Sequence, residues 1–309
     1  MSGDVKLLGI DIGASGSRAR LSVGGQVEAE SEAPSASVPA VGFDRAKDAL
    51  QSLLTDLGVQ RVTPIDAICV GSAGLSLPGV EDFLRGELAA YAGSAAVLVV
   101  KDVMLVLPAA GLDEGIAVVC GTGSVAIGSY GGRTVQIGGW GYLLGDEGGG
   151  YWIVREAIRE LLRRQDRAVP RGDLASQLLT ATGASDLAAL HRQYYEQPHM
   201  PVAWARHAEV VLDSKDPAAS DIRAVAARAA GTLATDAARQ LAAPEGLPVV
   251  LAGGLFRNQL FRHAVSIAVA QTLPTADVRV LPDAPVAGAL RLAELAAKRA
   301  KSAGPSFLE

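Results

Sequence analysis

A strand–turn–strand pattern that occurs twice constrains the fold more than any other feature of the chain. Val5–Val23, VKLLGIDIGASGSRARLSV, has an apolar first arm, a turn of small residues from Gly13 to Gly16 and an alternating return arm. Gly115–Tyr130, GIAVVCGTGSVAIGSY, repeats this plan, and a Gly-Gly pair then closes a second hairpin in both places. The repetition predicts two domains built on one plan.

Strand and helix patterns alternate after the first hairpin. Apolar runs at Ile65–Val70 and Ala95–Val100 predict buried strands, and helical spacing occurs at Phe43–Leu57 and Val80–Tyr91. Such alternation favours a mainly parallel sheet that begins with a hairpin, and therefore an α/β class.

We place the first domain at residues 1–113 and the second at 114–309, because the second pattern begins there. The later part of the second domain carries mostly helical patterns. A closing helix over residues 285–300 is expected to pack back on the first domain.

Composition limits the classes of partner. The net charge of −5 argues against nucleic acid, whose phosphates need a basic surface. The apolar runs are too short for a membrane span, and the first residues lack a signal-peptide pattern. The two cysteines, Cys69 and Cys120, lie in apolar runs and make no disulfide framework. We therefore expect a soluble cytoplasmic protein without a membrane or nucleic-acid partner.

The two turns carry groups that suit a phosphate tail. In the first turn Gly13 allows close backbone approach, Ser15 adds a hydroxyl, and Asp11 can hold Mg²⁺ directly or through water. Thr122 and Gly123 repeat this chemistry in the second turn. Either turn alone is equally well explained as an ordinary hairpin turn, which needs glycine anyway. The pair favours a site that grips one polyphosphate from two sides.

Two further positions follow strands. Asp102 stands just after Ala95–Val100, where a carboxylate can accept the proton of an attacking hydroxyl. A surface carboxylate or a helix N-cap explains that position slightly better when position alone is considered. Gly253-Gly254 leaves a bend without side chains, against which a base or ribose could lie, although a tight strand-to-helix turn is the better explanation in isolation.

The stretch Gly138–Trp152, GGWGYLLGDEGGGYW, is unlike an ordinary core segment. Seven of its fifteen residues are glycine, and an acidic pair, Asp146-Glu147, sits in its middle. Glycine costs backbone entropy in a regular element, and buried carboxylates are costly unless they are bonded.

Taken together, these residues resemble the sugar-kinase branch of the actin-like ATPase superfamily, specifically N-acetylglucosamine kinase and its bacterial amino-sugar kinase relatives among the BadF/BadG/BcrA/BcrD ATPases. The resemblance covers nearly the whole chain, and Gly-Trp-Gly followed by Gly-Asp-Glu-Gly is its most specific part. It rests on Gly9–Leu21, Lys101-Asp102, Cys120–Ser124, Gly138–Ile153, Leu251–Asn258 and Pro285–Ala293. It implies a two-domain, ribonuclease H-like fold with a cleft between the domains.

The resemblance also implies a reaction and a site. The reaction is ATP-dependent phosphorylation of an amino sugar, N-acetylglucosamine at its 6-hydroxyl being the first choice, with Asp102 as the catalytic base that contacts the sugar. Asp11 would lie near Mg²⁺. The positions that match the ATP site are Gly13, Ser15, Thr122, Gly123, Gly253, Gly254 and Asn258. The positions that match the sugar pocket are Ser124, Gly139, Trp140, Gly141 and Asp146. Glu147 receives no role, and relatives of this kind are commonly homodimers.

One position departs from the family pattern. The family usually has an asparagine after the first hairpins that bonds the sugar hydroxyls, whereas here the loop Ala33–Val38 offers Ser37 as the best match. Because a serine hydroxyl reaches less far, glucosamine, another hexose and a muramic-type sugar stay open as substrates.

Two functions from other classes also stay open. The first is an ATPase activator of a 2-hydroxyacyl-CoA dehydratase or benzoyl-CoA reductase, a relative whose [4Fe–4S] cluster bridges two subunits through cysteines. Cys69 and Cys120 are poorly placed for this role, because cluster ligation needs accessible thiolates. The second is a non-catalytic scaffold or sugar sensor, which Asp102 and the two phosphate turns disfavour.

Overall fold

The computed structural model describes residues 4–60, 64–93, 95–196 and 201–302. Two five-stranded sheets organise the chain. The chain divides into two compact units, one of Met1–Asp113 with Leu281–Glu309 and one of Glu114–Val280. The second range ends at Val280 and not at residue 309, because the helix that follows Pro285 packs on strands of the first unit.

The first sheet combines an antiparallel meander with two parallel strands. Its strands are β1 (Lys6–Ile12), β2 (Ser17–Val23), β3 (Gln26–Ala33), β4 (Ala67–Ser72) and β5 (Ala96–Lys101). Their order is β3–β2–β1–β4–β5; β1 pairs antiparallel with β2 and parallel with β4. Five α-helices accompany this sheet among the described residues: α1 (Val38–Val41), α2 (Phe43–Asp56), α3 (Val80–Ala92), α4 (Val106–Ala109) and, numbered in chain order, α12 (Val286–Ser302).

The two faces of β1 have different partners, since successive side chains of a strand point to opposite faces. Leu8, Ile10 and Ile12 are 0% exposed and pack in the core that contains α2 and α3. Leu7 belongs to a second apolar cluster, which includes alanines of α12. Asp11 lies on the same face as Leu7, so the end of β1 presents its carboxylate on the α12 side of the sheet.

The second sheet repeats the plan of the first. Its strands are β6 (Gly115–Cys120), β7 (Ser124–Tyr130), β8 (Arg133–Gly138), β9 (Val249–Ala252) and β10 (Val278–Val280), in the order β10–β9–β6–β7–β8. The pairs β6–β7 and β7–β8 are antiparallel, whereas β9 runs parallel to both β6 and β10. The sheet therefore again opens with a meander and ends with parallel strands.

Helices form the rest of the second unit. They are α5 (Gly150–Asp166), α6 (Gly172–Thr182), α7 (Leu187–Glu196), α8 (Pro201–Ala205), α9 (Ala208–Asp213), α10 (Pro217–Leu241) and α11 (Gln259–Thr272). Small residues on one side of α10, among them Ala226, Ala230 and Ala234, are 0% exposed, and this helix packs on β6, β7 and β8. None of the helices in the described part of the chain combines the length and apolarity that a membrane crossing requires.

Candidate active site

Two carboxylates of the first unit interact at the ends of β1 and β5, the two strands that flank β4 in the sheet. Asp11 is the penultimate residue of β1, and Asp102 opens a short 3₁₀ helix, Asp102–Leu105, directly after β5. Burial raises the pKa of Asp11 to about 7; the Asp102 carboxylate adds to this effect and Arg18 opposes it. Burial also raises the pKa of Asp102. The hydrogen bonds that its carboxylate accepts from backbone N–H groups, and the charge of Lys101, lower this pKa but do not offset burial. The structure thus brings together the residues predicted as metal ligand and base.

This pair fits a magnesium ion. Among the described residues no group of three or more His, Cys, Asp or Glu side chains could hold a metal by itself. Mg²⁺ is usually held by one or two carboxylates together with substrate phosphates and water, and a cation relieves the repulsion between two interacting carboxylates. Asp11, whose pKa the Asp102 carboxylate helps to raise, is therefore a suitable protein ligand for Mg²⁺ carried by a nucleotide.

A serine hydroxyl from the loop before α1 fixes the first turn. The amide of Gly13 donates to Gly16 O at 3.0 Å, and the hydroxyl of Ser35 donates to Gly13 O at 2.8 Å. In a trans peptide the N–H group that follows a carbonyl points to the opposite side. With the Gly13 carbonyl held by Ser35, the Ala14 amide faces away from that support, and Ser15 is exposed at the tip.

Ser37 lies in the interior of the loop that supports this turn. It is 1% exposed, its hydroxyl donates to Ala73 O at 3.4 Å, and its amide donates to the Ser35 hydroxyl at 3.1 Å. The side chain thus holds the loop rather than facing solvent. Its contact with a sugar stays a prediction.

The second turn is fixed by the first residues of α5. The amides of Gly150 and Tyr151 donate to Gly121 O at 2.8 Å and Thr122 O at 3.1 Å. By the same peptide geometry, the amides of Thr122 and Gly123 face away from α5. In each predicted phosphate turn, protein donors therefore bond the carbonyl oxygens, and the amides that follow these carbonyls point away from those donors.

A glycine makes the contact between α5 and the second turn possible. A Cβ on Gly149 would lie 2.7 Å from both Cα and C of Gly123 and 2.9 Å from Thr122 O. This explains part of the glycine-rich stretch in a way that the sequence did not reveal, because these glycines allow backbone to pack on backbone. The same contact explains why α5 begins at Gly150 and not near Ile153, where the apolar spacing begins.

Asp146 connects the tryptophan loop, Gly139–Gly145, to the second turn. Its carboxylate accepts hydrogen bonds from the backbone N–H groups of Ser124 and Gly141, which lower its pKa. Burial has the larger effect, so the pKa of Asp146 is raised. A Cβ on Gly123 would lie 2.6 Å from Asp146 Cγ, so the carboxylate rests directly on that turn. The hydroxyl of Ser124, which is itself 5% exposed, donates to Glu147 O at 2.8 Å.

The tryptophan loop presents apolar side chains to solvent. Trp140 is 74% exposed, and Leu143 and Leu144 are exposed beside it. Gly141 has a φ of 86°, and no atom lies within 4 Å of the position that a Cβ would take there. The loop thus combines open backbone at Gly141 with an exposed aromatic face, and the anchored carboxylate of Asp146 follows it directly.

The residues predicted to contact adenosine differ in what they offer. A Cβ on Gly253 would lie 2.7 Å from Cys120 C, so this glycine packs on the end of β6, whereas Gly254 is exposed with open space at its Cα. Asn258 is 7% exposed and caps α11: its Oδ1 accepts Phe261 N–H at 3.0 Å and its Nδ2 donates to Asp213 Oδ1 at 2.6 Å. Only Gly254 offers free backbone, and the ATP contact of Asn258 stays a prediction.

Sequence reasoning missed the supporting residues Ser35 and Gly149. The Pro/Ser-rich composition of the loop before α1 was the available signal for Ser35, but it does not say which serine reaches the turn. The run Gly148–Gly150 was the signal for Gly149, but glycine runs have several uses.

The chain matches a described family over most of its length. A model of the BadF/BadG/BcrA/BcrD ATPase family matches residues 8–296. Over 142 residues the chain is 32% identical to an N-acetylmuramic acid/N-acetylglucosamine kinase of Clostridium acetobutylicum, a match that covers 42% of this chain and 46% of that protein. Over 170 residues it is 28% identical to the N-acetyl-D-glucosamine kinase of Dictyostelium discoideum, covering 50% and 53%. The chain thus spans about half the length of the curated relatives it matches.

A solved structure matches at greater length. The crystal structure of a candidate N-acetylglucosamine kinase from Chromobacterium violaceum aligns with a TM-score of 0.70 and 27% identity, covering 93% of this chain and 99% of that one. Together with the two meander-plus-parallel sheets, these matches confirm the α/β fold of the actin-like ATPase type that the resemblance implied.

Proposed function

The chain belongs to the BadF/BadG/BcrA/BcrD ATPase family, and we propose that it is an ATP-dependent kinase that phosphorylates an amino sugar, N-acetylglucosamine at its 6-hydroxyl first of all. The observation that carries the proposal is the placement of Asp102 directly after β5, where its carboxylate interacts with that of Asp11 near the end of β1. Phosphoryl transfer needs positioning and charge stabilisation. Asp102 would position the sugar hydroxyl, and Asp11 would hold the metal that stabilises the charge.

Asp102 acts as the general base. Its carboxylate accepts the proton of the sugar hydroxyl while that oxygen forms a bond to the γ-phosphorus, and the bond from this phosphorus to the β–γ bridging oxygen breaks as ADP leaves. Burial raises the pKa of Asp102 toward the working pH, which makes the carboxylate a better proton acceptor. A base in this role contributes about 10²- to 10⁴-fold to the rate.

Each unit has its own turn with candidate phosphate donors. These are the amide of Ala14 and the hydroxyl of Ser15 in the first unit, and the amides of Thr122 and Gly123 in the second. Asp11 would hold Mg²⁺ directly or through a water, and the bound ion would neutralise phosphate charge. Preformed donors of this kind need no reorganisation during the reaction, which is why they stabilise developing charge efficiently.

The tryptophan loop carries the groups of the second unit that would contact a sugar. Trp140 supplies a flat apolar face on which a sugar ring packs, and the open backbone at Gly141 lets polar hydroxyls approach. The Asp146 carboxylate has lone pairs that its two backbone hydrogen bonds do not use, and these accept hydrogen bonds from sugar hydroxyls. The names of the relatives support an N-acetylated amino sugar as the substrate.

The activator function lacks support from the cysteines. Cys69 and Cys120 are both 0% exposed, and burial raises the pKa of each thiol to about 12. Cluster ligands must be accessible thiolates. Buried thiols of high pKa inside β4 and β6 do not meet this requirement.

A sugar panel tests the proposal. ADP release is measured with Mg·ATP and, in separate reactions, N-acetylglucosamine, glucosamine, N-acetylmannosamine, N-acetylmuramic acid and glucose, and the phosphorylated position is read by ³¹P–¹H correlation NMR. We expect sugar-dependent ADP release that is largest with N-acetylglucosamine, and a 6-phosphate as the product. ADP release that no sugar stimulates would contradict the kinase assignment, and a different preferred sugar would change only the substrate.

A further inference from the structure

The first turn of α12 contacts both segments that carry the paired carboxylates. α12 packs against β1, which carries Asp11, and against the 3₁₀ helix that begins at Asp102 and the α4 helix after it. The same helix also contacts β4, the strand that lies between β1 and β5 in the sheet. Its buried side is rich in alanine: Ala289 and Ala293 are 0% exposed and Ala297 is 5% exposed, and Val286 in the first turn is also 0% exposed.

Glycines make these contacts backbone to backbone. A Cβ on Gly288 would overlap with Leu105 O and would lie 2.8 Å from Ala109 N. On β1, a Cβ on Gly9 would lie 2.8 Å from Leu290 N and 3.1 Å from Val286 O. Neither site leaves room for a methyl group, and the neighbouring atoms are mostly backbone, which cannot turn aside as a side chain does.

The segment after Asp102 is also held from its other side. Leu105 is 0% exposed, and a Cβ on Gly71 of β4 would lie 2.6 Å from Leu105 Cγ. The 3₁₀ helix that begins at Asp102 therefore packs between Gly71 and Gly288, with Leu105 in contact with both. Added atoms at either glycine would therefore push on this segment.

We propose that Gly288 and Gly71 are positioning residues for Asp102, and that the first turn of α12 fixes the base relative to Asp11 through Gly288 on one segment and Gly9 on the other. This inference rests on the proposed function, because it assigns a catalytic consequence to the placement of Asp102. A catalytic carboxylate displaced by about 1 Å can lose on the order of 10²-fold in rate.

Gly288→Ala tests the proposal, with Gly86→Ala as the matched control. Both are glycines inside helices of the first unit, but nothing lies within 4 Å of a Cβ on Gly86. We expect G288A to lower kcat on the order of 10²-fold. The Kd for ATP, measured by calorimetry without sugar, and the KM for the sugar should stay close to the wild-type values, and G86A should match the wild type in all three. Equal kcat values for G288A and G86A would overturn the proposal, and so would a loss of ATP affinity that parallels the loss of kcat.

A second pair of variants decides the matter if G288A does not fold. The atoms in the way of a Cβ on Gly71 belong to the side chain of Leu105, so trimming that side chain relieves the overlap. We expect Gly71→Ala to lower kcat and the double variant G71A/L105A to regain part of it. At Gly288 the obstacle is backbone, so L105A should give no rescue of G288A. Failure of L105A to raise the kcat of G71A would overturn the proposal.

A third variant separates this inference from the function on which it rests. Asp102→Asn removes the base without changing the packing of Leu105. If D102N retains most of the wild-type kcat, the proposed mechanism is wrong and the inference is wrong with it. If D102N is inactive while G288A and G71A behave as wild type, the mechanism stands and only the positioning role is refuted.

Discussion

The hydroxyl of Ser124 donates a 2.8 Å hydrogen bond to the carbonyl oxygen of Glu147, and so ties the second turn to the loop that carries Asp146. Ser124→Ala removes this donor, while the backbone bond from Gly139 N–H to Ser124 O at 3.1 Å and the Asp146 carboxylate still join the two segments. We expect the free energy of unfolding to fall by about 1 kcal/mol, the usual effect of losing one such bond. Urea unfolding measures this change. Ser129→Ala on the same strand, for which no side-chain bond is seen within the described residues, is the control, and equal effects of the two variants would contradict the tie.

Gly149 is expected to tolerate no side chain. Gly149→Ala places a methyl group 2.7 Å from Cα and C of Gly123, so either α5 or the second turn must move. Overpacking of this kind costs about 1–3 kcal/mol, and here it also displaces proposed phosphate donors. Calorimetric titration with ATP should show weaker binding than in the wild type, whereas G86A binds normally. Unchanged ATP binding by G149A would mean that the turn does not hold the phosphates.

The stretch around Gly149 shows what the sequence could and could not predict. Its glycine content and acidic pair indicated a loop near a ligand. The sequence does not distinguish a glycine that admits a ligand, such as Gly141, from one that admits another piece of backbone, such as Gly149. That distinction depends on which segment the fold packs against the glycine. The amides of Gly150 and Tyr151, for example, bond to the second turn, which is distant from them in the sequence.

The periodic elements were predictable for a related reason. The two hairpins, α2 and α3 follow from local spacing of apolar residues, and their observed bounds lie within two residues of the expected ones. The short helices α8 and α9 were missed, because each spans fewer than two turns and carries too few residues for a period to show. The burial of Ser37 and Asn258 was missed because hydroxyl and amide side chains serve loops and caps as readily as ligands.

The ion pair between Arg164 and Asp216 predicts a pH-dependent stability in the second unit. Arg164 donates to both carboxylate oxygens of Asp216 at 2.8 and 3.1 Å, and the side chain of Asp216 is 3% exposed. The Arg164 guanidinium holds the pKa of Asp216 below its ordinary value of 3.8. Since the folded pKa is the lower one, the pair stabilises the fold above the ordinary value, and this contribution is lost as the pH falls through the folded pKa.

Arg164→Met should therefore destabilise most at neutral pH. Removing one partner of a buried pair costs about 3–5 kcal/mol, so we expect a loss of this order at pH 7 and a smaller one below the ordinary carboxyl pKa. Urea unfolding at the two pH values measures the difference. The control is Arg239→Met, which breaks a mostly exposed pair with Asp236 and should change stability little at either pH. A loss in R164M that does not shrink in acid would contradict the linkage.

Asp11→Asn tests the metal ligand. The amide keeps the shape of the side chain but removes its charge, and a charge-assisted contact contributes about 1.5–3 kcal/mol. We expect the Mg²⁺ concentration for half-maximal activity to rise on the order of tenfold, with a matching loss in the Mg²⁺ dependence of ATP binding measured by calorimetry. The same Mg²⁺ requirement in D11N and the wild type would remove Asp11 from the metal site.

The most direct test of the account is Asp102→Asn, assayed for phosphorylation of N-acetylglucosamine beside a measurement of ATP binding. Asp113→Asn is the control, because Asp113 is an exposed carboxylate of the same unit whose side chain pairs with Arg291. We predict that D102N loses about 10²- to 10⁴-fold in kcat while its Kd for ATP stays close to that of the wild type and of D113N. A D102N protein that still phosphorylates the sugar at most of the wild-type rate would contradict the assignment of Asp102 as the base, and with it the proposed mechanism.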